Sequence, residues 1–364
     1  MGKCVMIMAG GTGGHVYPAL AVARELISGG HQVIWMGTRK GLEARVIPAA
    51  DIPVEWLSVA GLRGKGWLSS LKAPLMLLRA LSQSLSILRR VKPDVVLGMG
   101  GFVSGPGGLM ASLLGIPLVL HEQNRVPGTT NRMLAKRATA VLEAFPESFP
   151  ADVGATVTGN PLRREIASLP PRQLNRLEER PLNILIVGGS LGAKALNEVV
   201  PEALAEVAHS LNIRHQTGEA MRAGTARRYA DAGLQATVSA FVEDMAEAYG
   251  WADLVICRSG AMTVSELAAA GLASILVPYP HAIDDHQTKN ALYLVDVDAA
   301  VLMPQASLTS ASLAAVLSGL IESPGKIGEM AQKARAQSRP EATKVVAGIC
   351  LDKAMGAAEA GRKS

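Results

Sequence analysis

Short apolar runs alternate along the chain with longer stretches of helical periodicity. Val5–Met8, Gln32–Met36, Val95–Leu97, Leu118–His121 and Ala140–Leu142 read as buried strands, with helical patterns such as Val16–Ser28 between them. Near-continuous apolar strands separated by helices predict a parallel sheet covered on both faces. The series restarts at Ile184–Val187 and continues through Arg214–Gln216, Thr237–Ala240, Leu254–Cys257 and Ile275–Val277, with helices near Lys194–His209, Thr263–Ala270 and Asp285–Val295. A chain of 364 residues accommodates two such domains with full cores. The boundary falls near Gly159-Asn160-Pro161, giving domains at 1–160 and 161–340, and Leu169–Pro181 reads as a solvated loop. Glu341–Ala358 reads as one more helix, in a 341–364 tail that can pack back on the first domain.

Three of the predicted strands run directly into glycine-rich loops that precede helices: Gly10–His15, Gly98–Gly105 and Gly188–Ala193. A strand, a glycine turn and a helix N-terminus form an anion site, because the backbone can approach the ligand and unpaired N–H groups point at it. Two such loops in the first half and one in the second suggest two phosphate-bearing ligands. They are not dinucleotide fingerprints. After Gly11-Thr12-Gly13 the third glycine position is Val16, after Gly98-Met99-Gly100 it is Val103, and the third loop has Ser190 as its second glycine position. The Walker lysine is absent as well.

Composition narrows the classes further. Aromatic residues make up 4% of the chain, too few for base-stacking platforms, so no nucleic-acid partner is expected. Cys4, Cys257 and Cys350 fit neither a metal spacing nor a disulfide framework, and Cys4 and Cys257 lie in strand patterns as buried thiols. No signal peptide or spanning segment is visible, which predicts a soluble cytoplasmic protein. The net charge of +5 is uneven: +7 on residues 1–160 and −2 on 161–364, so the first half favours an anionic partner.

Read in order, Gly10–His15, Ser58–Gly66, Gly98–Gly108, His121–Asn124, Gly159–Arg163, Gly188–Ala193, Cys257–Glu266 and Asp285–Ala291 resemble the MurG family of bacterial N-acetylglucosaminyltransferases across nearly the whole chain. The resemblance implies two Rossmann-like domains facing across a cleft, the GT-B architecture. It also implies inverting, metal-independent transfer of GlcNAc from UDP-GlcNAc to the 4-hydroxyl of the muramyl sugar of lipid I, giving lipid II. No cofactor is implied.

On that resemblance the donor site comprises Thr12, Gly13, Gly14, Asn124, Arg163, Ser190, Val242, Ala261, Met262, Thr263, Val264, Ser265, Glu266 and Gln287. Ser190, the third-loop amides and Arg163 would meet the diphosphate, Glu266 the ribose hydroxyls, the Val242 backbone the uracil, and Gln287 and Asn124 the sugar. The acceptor diphosphate falls to the first two loops through Gly11, Gly100, Gly101 and Ser104. For the general base, His15 is favoured and Glu122, ending a strand, stays open. His15 could equally hydrogen-bond backbone or diphosphate without moving protons.

A lipid acceptor requires a docking surface. Apolar residues recur at Trp67, Leu71, Leu75, Leu78, Leu85 and Leu88 with Lys72 and Arg79 interspersed, a pattern that suits an interfacial helix on anionic headgroups of the cytoplasmic membrane face. Trp67, Leu71, Lys72, Leu75, Leu78 and Arg79 are the expected contacts, although part of the stripe must pack into the core. Asp296-Val297-Asp298 has the form of a metal-binding Asp-x-Asp string but falls at a helix end, and reads as solvated surface. Phe102 and Leu191 depart from the family's frequent tyrosine and glutamine, putting one contact each in doubt. A UDP-GlcNAc 2-epimerase or a non-catalytic nucleotide-sugar-binding scaffold would share the donor site but need no acceptor site.

Overall fold

The computed structural model describes residues 2–58, 67–171, 180–189, 191–323 and 325–363, without the side chains of 67–73, 283 and 357–363. Two compact units emerge: Met1–Arg163 with Pro340–Ser364, and Arg164–Arg339. In the first, the strands β1 (Cys4–Met8), β2 (Gln32–Thr38), β3 (Val54–Leu57), β4 (Val95–Gly98), β5 (Leu118–Glu122), β6 (Ala140–Glu143) and β7 (Thr156–Val157) lie in the order β3-β2-β1-β4-β5-β6-β7. Every pairing is parallel.

The two-residue period of a strand explains why both faces need cover. Val5 and Ile7 of β1 pack with the helix Gly13–Ser28 and with Val346 and Cys350 of the tail helix Ala342–Lys363. Met6 and Met8 point the other way, into a cluster with Ile87 and Leu88 of the helix Trp67–Val91. The tail is further tied down by Lys3 Nζ, which donates to the Ala354 carbonyl at 3.3 Å.

The second unit holds β8 (Leu182–Val187), β9 (Leu211–Gln216), β10 (Ala236–Ser239), β11 (Leu254–Cys257), β12 (Ala273–Leu276) and β13 (Ala300–Leu302), all parallel, in the order β10-β9-β8-β11-β12-β13. Both sheets therefore reverse strand order once, between β1 and β4 and between β8 and β11. Ligands of open α/β sheets bind at such a switch point, beyond the carboxyl ends of the strands.

The chain leaves the first unit slightly later than the glycine–proline signal suggests. Asn160 Nδ2 donates to the Gln123 carbonyl at 3.1 Å, and the carbonyl of buried Leu162 accepts from Thr343 Oγ1 at 3.3 Å. These bonds hold residues through Arg163 to the first unit. β3, β7 and β13 were not among the predicted strands: β7 and β13 are only two and three residues long, and Glu55 interrupts β3. Cys257 and Cys350 are fully buried, whereas Cys4 is only partly so. Most of Leu169–Pro181 lies outside the described residues.

Candidate active site

The first two glycine loops leave β1 and β4, the two strands of the first switch point. They touch each other: a Cβ on Gly101 (φ +82°) would stand 2.3 Å from the Gly10 carbonyl oxygen, so only glycine allows this approach. The helix begins at Gly13 with Thr12 as its N-cap, and the Thr12 hydroxyl makes no capping bond. The Gly13 and Gly14 amides have no acceptor among the described residues, as expected for a first helical turn, and offer a place for an anion.

Three expected acceptor contacts do not suit that role. The Gly11 amide donates to Glu43 Oε2 at 3.0 Å, and the other oxygen of this fully buried carboxylate takes Thr38 N at 3.0 Å and Thr38 Oγ1 at 2.8 Å. Ser104 is fully buried as well. Its hydroxyl lies 2.9 Å from the Met8 carbonyl and 2.8 Å from that of Gly100, and accepts from Gly100 N at 3.1 Å. Gly11, Gly100 and Ser104 thus shape the loops with their polar groups turned inward.

Glu122 ends β5, as expected, but its surroundings do not fit a proton acceptor. The carboxylate is 2% exposed. Oε1 accepts from Asn124 N at 3.0 Å and Asn124 Nδ2 at 3.3 Å; Oε2 accepts from Gly128 N at 3.0 Å and Asn131 Nδ2 at 2.9 Å. Four donors on two oxygens make it a clasp for the loop carrying Asn124. His15, half-buried in the first turn of its helix, remains the candidate base; its Nδ1 lies 2.8 Å from Gln123 Oε1.

In the second unit the third loop leaves β8. Gln216 braces it from both sides, accepting from Gly189 N at 3.1 Å and donating to the Gly189 carbonyl at 3.0 Å. Gly192 (φ +74°) is obligatory, since a Cβ there would sit 1.8 Å from the Thr217 carbonyl oxygen. Behind that carbonyl runs a buried chain. Asn197 Nδ2 donates to it at 3.0 Å, Asn197 Oδ1 meets His215 Nε2 at 3.0 Å, and His215 Nδ1 meets the Tyr229 hydroxyl at 2.9 Å. Burial pushes the His215 pKa down to about 3, so the imidazole stays neutral. Ser190 lies outside the described residues.

The other switch strand, β11, leads through Gly260 into the helix Ala261–Ala270. The amides of Ala261, Met262 and Thr263 open this helix without an acceptor among the described residues, a second anion site facing the same sheet end. Val264 is a correction: its side chain is fully buried and its amide bonds to the Gly260 carbonyl at 3.0 Å, so it belongs to the core. Ser265 and Glu266 are half-buried one turn on. Glu266 Oε2 accepts from the hydroxyl of buried Tyr249 at 3.1 Å, which orients the carboxylate. Gln287 Oε1 accepts from Tyr279 N at 2.9 Å, which leaves its amide hydrogens as the donor side. Arg258 pins the preceding loop through the carbonyls of Val277 and Pro278 at 3.1 and 3.0 Å. Val242 and Arg163 are half-buried.

The apolar stripe of the helix Trp67–Val91 divides. Leu88 is buried and Leu85 half-buried, whereas Leu75 and Leu78 are 72% and 64% exposed, with exposed Arg79 beside them. The side chains of Trp67, Leu71 and Lys72 lie outside the described residues. No described helix is long and apolar enough to cross a membrane. At the other sheet Asp298 is engaged by Lys333 Nζ at 3.1 Å, and that cation lowers its carboxyl pKa.

Glu43, Gln123, Asn131, Gln216 and Tyr249 escaped sequence reasoning. The paired glycines Gly37 and Gly41 around Glu43 were the available signal, because a Cβ on Gly41 would lie 1.9 Å from Glu43 Oε2.

Comparison with known proteins identifies the family of the chain. Residues 5–143 match the glycosyltransferase family 28 N-terminal domain and 183–346 its C-terminal domain. A UDP-N-acetylglucosamine--N-acetylmuramyl-(pentapeptide) pyrophosphoryl-undecaprenol N-acetylglucosamine transferase from Methylococcus capsulatus is 58% identical, with 97% of this chain and 99% of the relative covered. Its namesake from Pseudomonas fluorescens is 53% identical over 98% of this chain and 100% of the relative. The crystal structure of Acinetobacter baumannii MurG is 45% identical, covers 96% of this chain and 99% of its own, and superposes with a TM-score of 0.83.

Proposed function

The chain belongs to the MurG family within glycosyltransferase family 28, and from that premise we infer that it transfers N-acetylglucosamine from UDP-GlcNAc to lipid I, forming lipid II for peptidoglycan synthesis. The observation that carries the reading is full-length identity above one half to transferases of this name. The switch-point sites suit it: each sheet presents helix-start amides without an acceptor among the described residues, as phosphate-bearing substrates require.

In the reaction the muramyl 4-hydroxyl oxygen bonds to C1 of GlcNAc with inversion. The C1–oxygen bond to UDP breaks, and its electron pair leaves on the diphosphate. The hydroxyl proton passes to the His15 imidazole, whose Nδ1 is already held by Gln123. The amides of Ala261, Met262 and Thr263, with the positive end of their helix, stabilise charge growing on the leaving group. Glu266, steadied by Tyr249, accepts from the ribose hydroxyls, and the Gln287 amide hydrogens donate to the sugar. The testing experiment is transfer of labelled GlcNAc to a short-chain lipid I analogue with EDTA present. The expected product is the β-1,4-linked disaccharide lipid. Bound UDP-GlcNAc without transfer would overturn the reading.

The enzyme meets its acceptor as a peripheral protein, through the exposed face of the helix Trp67–Val91 around Leu75, Leu78 and Arg79. Leu75 and Leu78 lie one turn apart, and Arg79 follows Leu75 by four residues, so apolar and basic groups share one face. A basic residue near an anionic surface contributes about 1 kcal/mol. Arg79→Glu is therefore expected to weaken binding to phosphatidylglycerol vesicles by roughly 2 kcal/mol, about 30-fold. Unchanged co-sedimentation would remove this surface from consideration.

A further inference from the structure

The candidate base is wired into a buried relay that none of the substrate contacts requires. Gln123 Nε2 lies 3.0 Å from the His121 carbonyl oxygen and 3.1 Å from His121 Nδ1. His121 Nε2 lies 3.0 Å from the Gly159 carbonyl oxygen. His121 is 0% and Gln123 1% exposed.

A carbonyl oxygen only accepts, so the two carbonyls set the direction of every bond. The atom of Gln123 facing the His121 carbonyl must be its nitrogen. The Gly159 carbonyl likewise calls for a proton on His121 Nε2. Burial pushes the His121 pKa down to about 4, so this ring is neutral and its Nδ1 accepts from Gln123. The Gln123 atom left facing His15, at 2.8 Å from Nδ1, is the amide oxygen, which also only accepts.

We propose that Gln123, oriented by His121 and the Gly159 carbonyl, is a positioning residue that holds His15 as the Nδ1–H tautomer and leaves a lone pair on Nε2. The proposal rests on the reading of His15 as general base, and names the nitrogen that receives the proton. Nε2 has no hydrogen-bond partner among the described residues. The relay is itself anchored: Asn160 Nδ2 donates to the Gln123 carbonyl at 3.1 Å, and Asn131 Nδ2 to the His121 carbonyl at 3.2 Å. On the other side, a Cβ on Gly100 would meet the His15 ring at 2.8 Å, so the second loop also limits the ring's movement. A carboxylate does the same work for histidine in serine hydrolases, where loss of the correct tautomer removes most of the rate. The neutral amide orients the ring without the attraction that a carboxylate exerts on an imidazolium.

The test is two-bond ¹H–¹⁵N correlation on full-length protein labelled with ¹⁵N-histidine, with the His15 signals identified by their loss in His15→Asn. The wild type is expected to show Nδ1 at the N–H position and Nε2 at the lone-pair position. In Gln123→Met this pattern should collapse to an average or invert. kcat should fall roughly 10- to 1,000-fold while the KM for UDP-GlcNAc stays unchanged. An Nε2–H signal in the wild type overturns the proposal and leaves the base assignment standing. An Nδ1–H signal with undiminished kcat in Gln123→Met overturns it as well. Undiminished kcat in His15→Ala removes the base reading instead, whatever the tautomer.

Discussion

His15→Ala is expected to lower kcat for GlcNAc transfer by about 10²- to 10⁴-fold, the range that a positioned proton acceptor contributes. Donor affinity should not change, because none of the groups assigned to UDP-GlcNAc, including Thr12, Gly13 and Gly14 just before it, is this ring. Stability should change little. The side chain is half-buried, and alanine in the first turn of the helix Gly13–Ser28 is a good helix former. Steady-state kinetics with separate titrations of donor and lipid I analogue check this. A loss confined to the KM for lipid I, with kcat intact, would mean that the imidazole binds the acceptor diphosphate and that the proton leaves by another route.

Glu122→Ala should do the reverse and damage the fold first. Removing the carboxylate takes an acceptor from Asn124 N, Asn124 Nδ2, Gly128 N and Asn131 Nδ2, although Asn131 Nδ2 keeps the His121 carbonyl and exposed Gly128 can turn to water. An unsatisfied buried donor costs about 1–3 kcal/mol, and partial entry of water offsets some of the sum. The expected destabilisation is roughly 3–5 kcal/mol, a drop on the order of 10 °C in the thermal midpoint measured by calorimetry. Glu122→Gln separates the two roles. As a proton acceptor, Glu122 would tolerate the change structurally and lose the rate. As a clasp, it presents an amide nitrogen to existing donors and loses stability. A normal midpoint with abolished kcat would return Glu122 to the chemistry.

The loops were legible in the sequence because their chemistry is local. Glycines between an apolar run and a helical pattern announce an anion site whatever the rest of the chain does. The partners of individual groups were not local. Gly11 and Ser104 were read as ligand contacts, but Glu43 and the Met8 carbonyl, supplied by other segments, claim them. His121 belonged to a recognised block, yet its bond to Gly159 spans 38 positions and exists only once β5 and the segment after β7 are side by side. Glu122 shows a different limit. Its donors lie within a few residues, but a carboxylate at a strand end reads the same whether it faces substrate or its own loop. The edge strands β3, β7 and β13 escaped for a third reason: β7 and β13 are only two and three residues long, and Glu55 interrupts β3.

The tail helix also bears on how the protein is made. Val346, Ala347, Cys350 and Ala354 belong to the core of the first unit, yet they are translated after all of Arg164–Arg339. At about 5–20 residues per second, the intervening unit takes on the order of 10–30 s to emerge from the ribosome. During that interval the face of the first sheet bearing Val5 and Ile7 lacks part of its cover, while the second unit has everything its own core requires. The usual order of co-translational folding is therefore inverted. The segment synthesised in the middle can complete its structure first, and the core around the earliest-synthesised strands closes only when the helix Ala342–Lys363 arrives.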